Sequence, residues 1–433
     1  MPLVWLRVIF GALMLVSTAR FILKGWVAEF YIEPQFHFTY FGFGWVKPLP
    51  PGGMYAIFGL LMLFSILISL GAAYRLSMSA FFLLFTYVEL LDKVYYLNHY
   101  YFVSLFSFLL ILLPLHRCWS VDAWLRPALR ADFVPRWTVL VIQIQLGLVY
   151  FFAGLAKLNP DWLFHALPLA IWLPVNADFP LLGRFFDYHW MPFAMSWGGA
   201  FFDLTIPFWL MWWRSRPLAY LAVIGFHTLT GLLFRIGMFP WIMIGCTLIF
   251  FADPLPNPHT RGDFLSRLLP FSRHGERSET GIQPRLSAGL GILLAVFLLL
   301  QVLLPLRHWL YPGDVLWTEE GYRFSWRVML VEKAGYTIFF LHDPATEREW
   351  TVYPNDILTP QQVQQMSFQP DMILSFAHYL AEAYREKGYP KIEVRVKAYV
   401  SWNGRTSHLL IDPQVDLARQ PHSVWHRAWI LPP

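Results

Sequence analysis

In 433 residues this chain carries 57% apolar and 14% charged residues, with 18% aromatics and 21 Trp. Soluble proteins run nearer to roughly 25% charged, so the composition excludes an ordinary soluble enzyme and indicates an integral membrane protein. The net charge of +5 comes from basic residues in short loops between apolar runs, which argues against nucleic acid as a partner. Two cysteines, Cys118 and Cys246, offer neither a disulfide framework nor metal-site spacing.

A bilayer crossing takes about 20 apolar residues. On that rule the chain has about nine candidate membrane helices, roughly at 5–23, 54–72, 77–91, 98–115, 137–156, 193–213, 217–234, 237–252 and 286–305. The N-terminus runs straight into the first without a small-residue cleavage site, so it reads as an uncleaved helix. One alternating set of loops holds Arg75; Arg117, Arg126, Arg130 and Arg136; Arg214 and Arg216; and Arg261, Arg267, Arg273, Arg277 and Arg285. The opposite set holds only Lys24, Lys47, Lys93, Lys157, Arg184 and Arg235. Cytoplasmic loops carry the excess of Lys and Arg, which predicts a cytoplasmic N-terminus and an extracytoplasmic C-terminal part. The chain then divides into a helical membrane domain, 1–305, and a β-rich domain, 306–433. In the latter, Tyr336–Phe340 and Trp350–Tyr353 read as strands, and a helix near 370–387 puts Ile373, Phe376, Ala377 and Leu380 on one face. Glu393–Val400 alternates strictly, and Asn403-Gly404 offers a hairpin turn before His408–Ile411.

Ionisable groups in or beside membrane helices are functional candidates by default. Here they are Glu89, Asp92, Lys93, His99, Lys157, Asp203, His227 and Arg235. Lys157 ends a run from Trp137 in which Tyr150 is the only other ionisable group. It either snorkels to the interface or is held partly dry, where a lysine loses its proton more readily and can act as a base. The predicted topology puts Asp92, Lys93, His99, Lys157 and Arg235 toward the outer face, where they can converge beneath the external domain. Each has a plainer reading. Asp92 and Lys93 pair with each other or with neighbours, His99 caps its helix, and Asp203 and His227 are hydrogen-bonding partners between helices. Trp162, Trp190 and Trp309 read as interfacial anchors. There is no HExxH, nucleophile elbow or phosphate loop, so any catalysis is of the general acid–base kind.

Several stretches together carry a resemblance. Leu90-Leu91-Asp92-Lys93, then Leu97-Asn98-His99-Tyr100-Tyr101, resembles the vitamin K-dependent gamma-glutamyl carboxylase family, as does Cys118-Trp119-Ser120-Val121-Asp122. The strongest stretch is Tyr150-Phe151-Phe152-Ala153-Gly154-Leu155-Ala156-Lys157-Leu158-Asn159-Pro160-Asp161-Trp162. Trp197-Gly198-Gly199, Phe234-Arg235-Ile236-Gly237-Met238-Phe239, Trp317-Thr318, Tyr322 with Phe324-Ser325-Trp326, and Ile411-Asp412-Pro413-Gln414-Val415-Asp416 extend it nearly to the end of the chain. The chain thus resembles a compact, bacterial-type homologue with a membrane domain of the HTTM type.

The resemblance implies an enzyme whose co-substrates are reduced vitamin K, O2 and CO2, with no metal. Lys157 would be the base that deprotonates the quinol, which ends as the epoxide. An oxygenated intermediate would remove a γ-proton from peptide glutamate, and the carbanion would add CO2. His99 would belong to the same site. Tyr150, Phe234 and Met238 would line the quinol pocket, and Trp317, Tyr322 and Ser325 would lie where an acceptor glutamate is presented. The partners implied are membrane lipid, the quinol and a secreted glutamate-containing protein, at a bacterial plasma membrane. The chain departs from the family's animal members after Trp326, where Arg327 to Lys333 replaces a histidine-containing stretch. That leaves two further expectations, a quinol epoxidase without carboxylation and a non-catalytic quinone-binding membrane protein.

Overall fold

The computed structural model describes residues 2–131, 134–234, 236–252 and 286–433. Its first part is helical: α1 (Pro2–Leu23), α2 (Trp26–Tyr31), α3 (Pro51–Leu70), α4 (Tyr74–Leu91), α5 (Asn98–Leu112), α6 (Val121–Leu125), α7 (Arg136–Ala156), α8 (Pro160–Phe164), α9 (Leu169–Trp172), α10 (Trp190–Met211), α11 (Arg216–Leu233), α12 (Phe239–Thr247) and α13 (Ala288–Leu306). A helix therefore stands in each stretch expected to cross the membrane. Five are long and apolar enough to do so by themselves: α1, α3, α4, α7 and Ala288–Leu310, which extends α13. Shorter apolar helices occupy Asn98–Leu112 and Phe239–Ala252. Arg235 and the basic stretch from Arg261 to Arg285 lie outside the described residues.

Helix approach is closest where glycine removes the side chain. A β-carbon on Gly154 of α7 would come within 2.7 Å of the Leu204 nitrogen and 3.0 Å of the Asp203 carbonyl carbon on α10. Only glycine lets the two backbones meet there, and this contact fixes which residue of α10 faces the end of α7.

After α14 (Val315–Thr318) the chain builds a four-stranded sheet from β1 (Lys333–Asp343), β2 (Arg348–Val352), β3 (Glu393–Trp402) and β4 (His408–Leu409), in the order β2-β1-β3-β4 and antiparallel throughout. Alternate β3 residues, Val394, Val396, Ala398 and Val400, are fully buried, with α16 (Pro370–Glu386) packed on this strand and α15 (Pro360–Met366) leading into that helix. On α16 the expected face, Ile373, Phe376, Ala377 and Leu380, is the buried one, and Phe376 meets Phe339 of β1 edge to face at 5.1 Å. Asn403 (φ 48°) and Gly404 (φ 75°) form the expected turn between β3 and β4, both in the left-handed region that a tight hairpin demands. The strand after it is shorter than expected: β4 is only His408 and Leu409, with Leu410 adding one bond to the Ala398 carbonyl, and Ile411 instead bridges Ile430.

Three polar clusters are among the bonds between this β-rich part and the membrane helices. Lys93 Nζ lies 2.7 Å from Asp371 in the first turn of α16, and the Arg323 guanidinium binds the same carboxylate at 2.8 Å. Gln362 of α15 donates to Asp92 (3.1 Å) and to the Phe36 carbonyl (2.7 Å), and Asp92 also meets His37 at 3.3 Å. Asp161 receives Asn403 and Arg405 from the hairpin tip. Asp92 and Lys93 are thus paired with neighbours and not with each other.

Candidate active site

The segment Ala156 to Trp162 is a helix stop followed at once by a helix start. Lys157 caps α7, its N–H returning to the Gly154 carbonyl at 3.0 Å. Asn159 caps α8 by accepting from Trp162 N–H at 3.0 Å, with Pro160 at the first helical position, the arrangement that suits each residue. The tight reversal turns Lys157 inward. It is 6% exposed, and its Nζ donates to Asp203 at 2.7 Å and to the Ala153 carbonyl at 3.3 Å. Snorkelling is thereby overturned: the lysine points into the protein because a buried carboxylate waits there. Trp162 is also not an interfacial anchor. It is 4% exposed, its ring lies 5.3 Å from Lys157 Nζ, and its indole N–H donates to the Ser196 carbonyl at 2.7 Å.

One helical turn or two back along α7, the Tyr150 hydroxyl shares a hydrogen bond with His227 Nε2 at 2.9 Å and approaches Thr247 Oγ1 at 3.4 Å. Asp203 and His227 are therefore both interhelical partners, each tied to a residue of α7. Rings continue the site toward α12 and α5. Tyr150 meets Phe202 at 6.0 Å, His227 meets Phe239 at 5.8 Å, and Phe239 meets His99 at 6.0 Å. His99 does not cap α5; Leu97 holds the cap position without a side-chain bond. The histidine is 5% exposed, and its Nε2 has no hydrogen-bond partner among the described residues.

The remaining expected pocket residues fall into two groups. Met238 is buried at the start of α12, next to Phe239. Phe234 instead packs on Trp172 at 5.7 Å, and the Trp172 indole donates to Glu332 at 2.5 Å, so this ring faces the β-rich part.

The expected acceptor residues lie together on the other side of the junction. Trp317 is fully buried, and its indole N–H goes to the Leu431 carbonyl at 2.7 Å. Ser325 is 3% exposed, and its hydroxyl bonds to the Gly321 (2.6 Å) and Tyr322 (2.5 Å) carbonyls. Tyr322 is half-buried beside it. Between them Phe324 and Trp326 have positive φ, 62° and 58°, an uncommon state for bulky residues. It drives both rings into the membrane domain, Phe324 against Tyr101 at 4.9 Å and Tyr96 at 5.2 Å, and Trp326 against Tyr101 at 5.0 Å. Asn98 then donates to the Arg327 carbonyl at 2.9 Å, so this segment is fastened one residue from His99.

Two participants gave no sign in the sequence. Arg20 lies in the last turn of α1, and its Nη2 lies 3.6 Å from where a β-carbon on Gly237 would stand, a position that is also 3.7 Å from His99 Nε2. Arg405 sits in a polar hairpin and pairs across 244 positions with Asp161 at 2.5 and 2.8 Å. Burial alone would raise the Asp161 pKa, but the hydrogen bonds from Arg405 and Asn403 outweigh it and hold the carboxyl below its usual range.

Residues 1–254 match the family model of the HTTM domain, and residues 287–433 match that of the vitamin K-dependent gamma-carboxylase, lumenal domain. No solved structure matches the chain. With a helical membrane part and a β-sheet domain that each match, this integral membrane protein belongs to the vitamin K-dependent gamma-carboxylase family.

Proposed function

We propose that the protein is a vitamin K-dependent carboxylase whose quinol base is Lys157 and whose acceptor is a glutamate on an external peptide. All nine expected helices would cross the membrane, with the N-terminus cytoplasmic and residues 306–433 outside. The observation that carries this reading is the dry Lys157–Asp203 pair, 2.7 Å apart, at the end of an aromatic row. Reduced vitamin K, when bound, would supply through its oxidation by O2 the strong base that takes a glutamate γ-proton before CO2 adds.

The residues present suit a flat apolar diphenol. Tyr150, Phe202 and His227 form a cluster of rings that Phe239 extends, and His99 presents a buried nitrogen with no partner among the described residues. At Gly237 a β-carbon would stand beside that nitrogen, at 3.7 Å.

A base must be free of its proton, and Asp203 offers a way. A proton passed from Nζ to the carboxylate leaves a neutral amine, and the pair carries no net charge before or after. Such an internal transfer avoids creating an isolated buried ion. The amine then accepts a hydroxyl proton at Nζ. Trp162 covers the resulting ammonium with its ring face, and the apolar surroundings exclude water from the reacting atoms.

The test is purified protein in lipid with reduced vitamin K, O2, labelled bicarbonate and a glutamate-rich peptide. Epoxide and incorporated label together are expected, and Lys157→Ala should abolish both. Equal epoxide from wild type and Lys157→Ala would sink the assignment. A second reading is favoured by the acceptor side, where Trp317 and Ser325 give their donors to backbone carbonyls. It is quinol epoxidation without carboxylation, and it predicts epoxide without label.

A further inference from the structure

A charged group inside a membrane protein ordinarily has a counter-ion. Arg20, in the last turn of α1, forms no ion pair or side-chain hydrogen bond among the described residues, and its Nε is buried without a partner. Its guanidinium carbon lies 5.3 Å from the Trp26 ring, which shelters one side. Arg20 as a whole is half-buried, whereas the neighbouring His99 is buried, with Nε2 unpartnered among the described residues.

These two side chains meet over Gly237. The glycine has φ +65°, and the position its β-carbon would take lies 3.6 Å from Arg20 Nη2 and 3.7 Å from His99 Nε2. Apart from the glycine's own chain neighbours, the nearest atoms to that position belong to these two residues. The position is therefore bordered by a guanidinium and by an imidazole nitrogen that donates in the tautomer with its proton on Nε2. A half-buried cation without a counter-ion and a buried, unpaired ring nitrogen are each costly, and one anion placed between them relieves both.

We propose that Arg20 and His99, with Gly237 keeping the space open, form a subsite for one oxyanion of a small ligand. The inference rests on the proposed function for the ligand's identity and on the geometry for its charge. Two sources share this chemistry: an ionised hydroxyl of the quinol, or the carboxylate of bicarbonate. A flat ligand along the row His99, Phe239, His227 and Tyr150 would then have a fixed positive charge at one end. The Lys157–Asp203 pair would stand at the other. Arg20 would bind charge without itself exchanging a proton, because a guanidinium stays protonated.

The test uses the full chain in lipid nanodiscs under anaerobic conditions. Wild type, Arg20→Gln and Arg20→Lys are titrated with 2-methyl-1,4-naphthohydroquinone and, separately, with the uncharged 2-methyl-1,4-naphthoquinone, read by tryptophan quenching. A second arm follows carbon-13-labelled bicarbonate by NMR line broadening. Loss of a charge-assisted hydrogen bond should weaken hydroquinone binding about tenfold or more in Arg20→Gln, with quinone binding little changed and Arg20→Lys in between. That result supports the subsite with the quinol as source. Unchanged hydroquinone binding with lost bicarbonate broadening supports it with the carboxylate as source. Parallel loss of hydroquinone and quinone, or no loss of any probe, overturns it.

If Arg20→Gln fails to fold, the wild-type spectrum decides. Bound hydroquinone showing the red-shifted absorption of its ionised form supports the subsite. The neutral spectrum together with no bicarbonate binding overturns it. Should wild type bind no hydroquinone at all, the carboxylase reading falls, and the bicarbonate arm alone judges Arg20.

Discussion

Asp161 takes both arms of the Arg405 guanidinium, at 2.5 and 2.8 Å, and its chain neighbour Trp162 covers Lys157. The hairpin tip of the β-rich domain thus holds the residue next to the ring that shelters the proposed base. Hydrogen bonds to charged groups contribute roughly 1.5–3 kcal/mol, and the lower end applies because Arg405 is partly exposed. Arg405→Ala should lower the thermal unfolding midpoint modestly. On the proposed function it should cut carboxylation of a peptide more than quinol epoxidation, because only the first would need the β-rich domain in place. Equal loss of both rates, measured in one assay, would reduce the hairpin to a structural strut.

Lys157 and Asp203 make a sharper case through a double-mutant cycle. Removing one partner of a buried pair strands the other, at about 3–5 kcal/mol. Lys157→Ala and Asp203→Ala should each destabilise strongly, whereas the double substitution should recover much of the loss while staying inactive. Asp203→Asn keeps the shape and a hydrogen bond to Nζ but takes a proton poorly. It should fold and lose about 10²–10⁴-fold in epoxide formation. Full activity in a folded Asp203→Asn would show that the carboxylate only anchors the lysine.

Much of this arrangement was readable from residue order, and the rest was not for a definite reason. Apolar runs locate helices because burying a turn of backbone needs only local sequence, so α1, α3, α4, α7 and α13 fall within a few residues of expectation. The Asn403-Gly404 turn and the buried face of α16 are likewise set by local pattern. Pairings across long sequence separation carry no such mark. Lys157 meets Asp203 over 46 positions and Lys93 Nζ meets Ser375 over 282, and neither partner's sequence context names the other. The placing of Trp162 failed because an aromatic at a helix end looks the same whether lipid or a lysine lies beyond it. Likewise, family resemblance supplied roles for Ser325 and Trp317 but could not show that their donors are taken by backbone carbonyls.

Gly154 gives a prediction about distance. A methyl there would press on the Leu204 nitrogen at 2.7 Å, and backbone atoms do not yield as a side-chain tip does. Gly154→Ala should therefore push α7 from α10 and cost about 1–3 kcal/mol as overpacking. The shift also stretches the Lys157–Asp203 contact, so epoxide formation should fall further than stability suggests. Unaltered turnover in Gly154→Ala would mean that the two helices tolerate a looser approach and that the 2.7 Å pair is not needed.

Acid should loosen the two domains at Asp371. Burial alone would raise its pKa, but Arg323 and Lys93 outweigh this and hold the carboxyl well below the usual carboxylate range. A carboxyl depressed on folding contributes stability that is fully present above its unfolded pKa of about 3.9. That contribution is lost as pH falls toward the folded value. The clamp between α16 and Lys93 is therefore at full strength at neutral pH and weakens below about pH 4. Asp371→Asn should be less stable than wild type at pH 7, and the gap should narrow on acidification because the amide has no proton to gain. The check is hydrogen exchange in Pro370–Glu386 as a function of pH. Wild-type protection should drop below about pH 4, and the Asp371→Asn profile should stay low and flat. A pH-independent wild-type profile down to pH 3 would show that Arg323 and Lys93 do not hold α16 through this carboxylate.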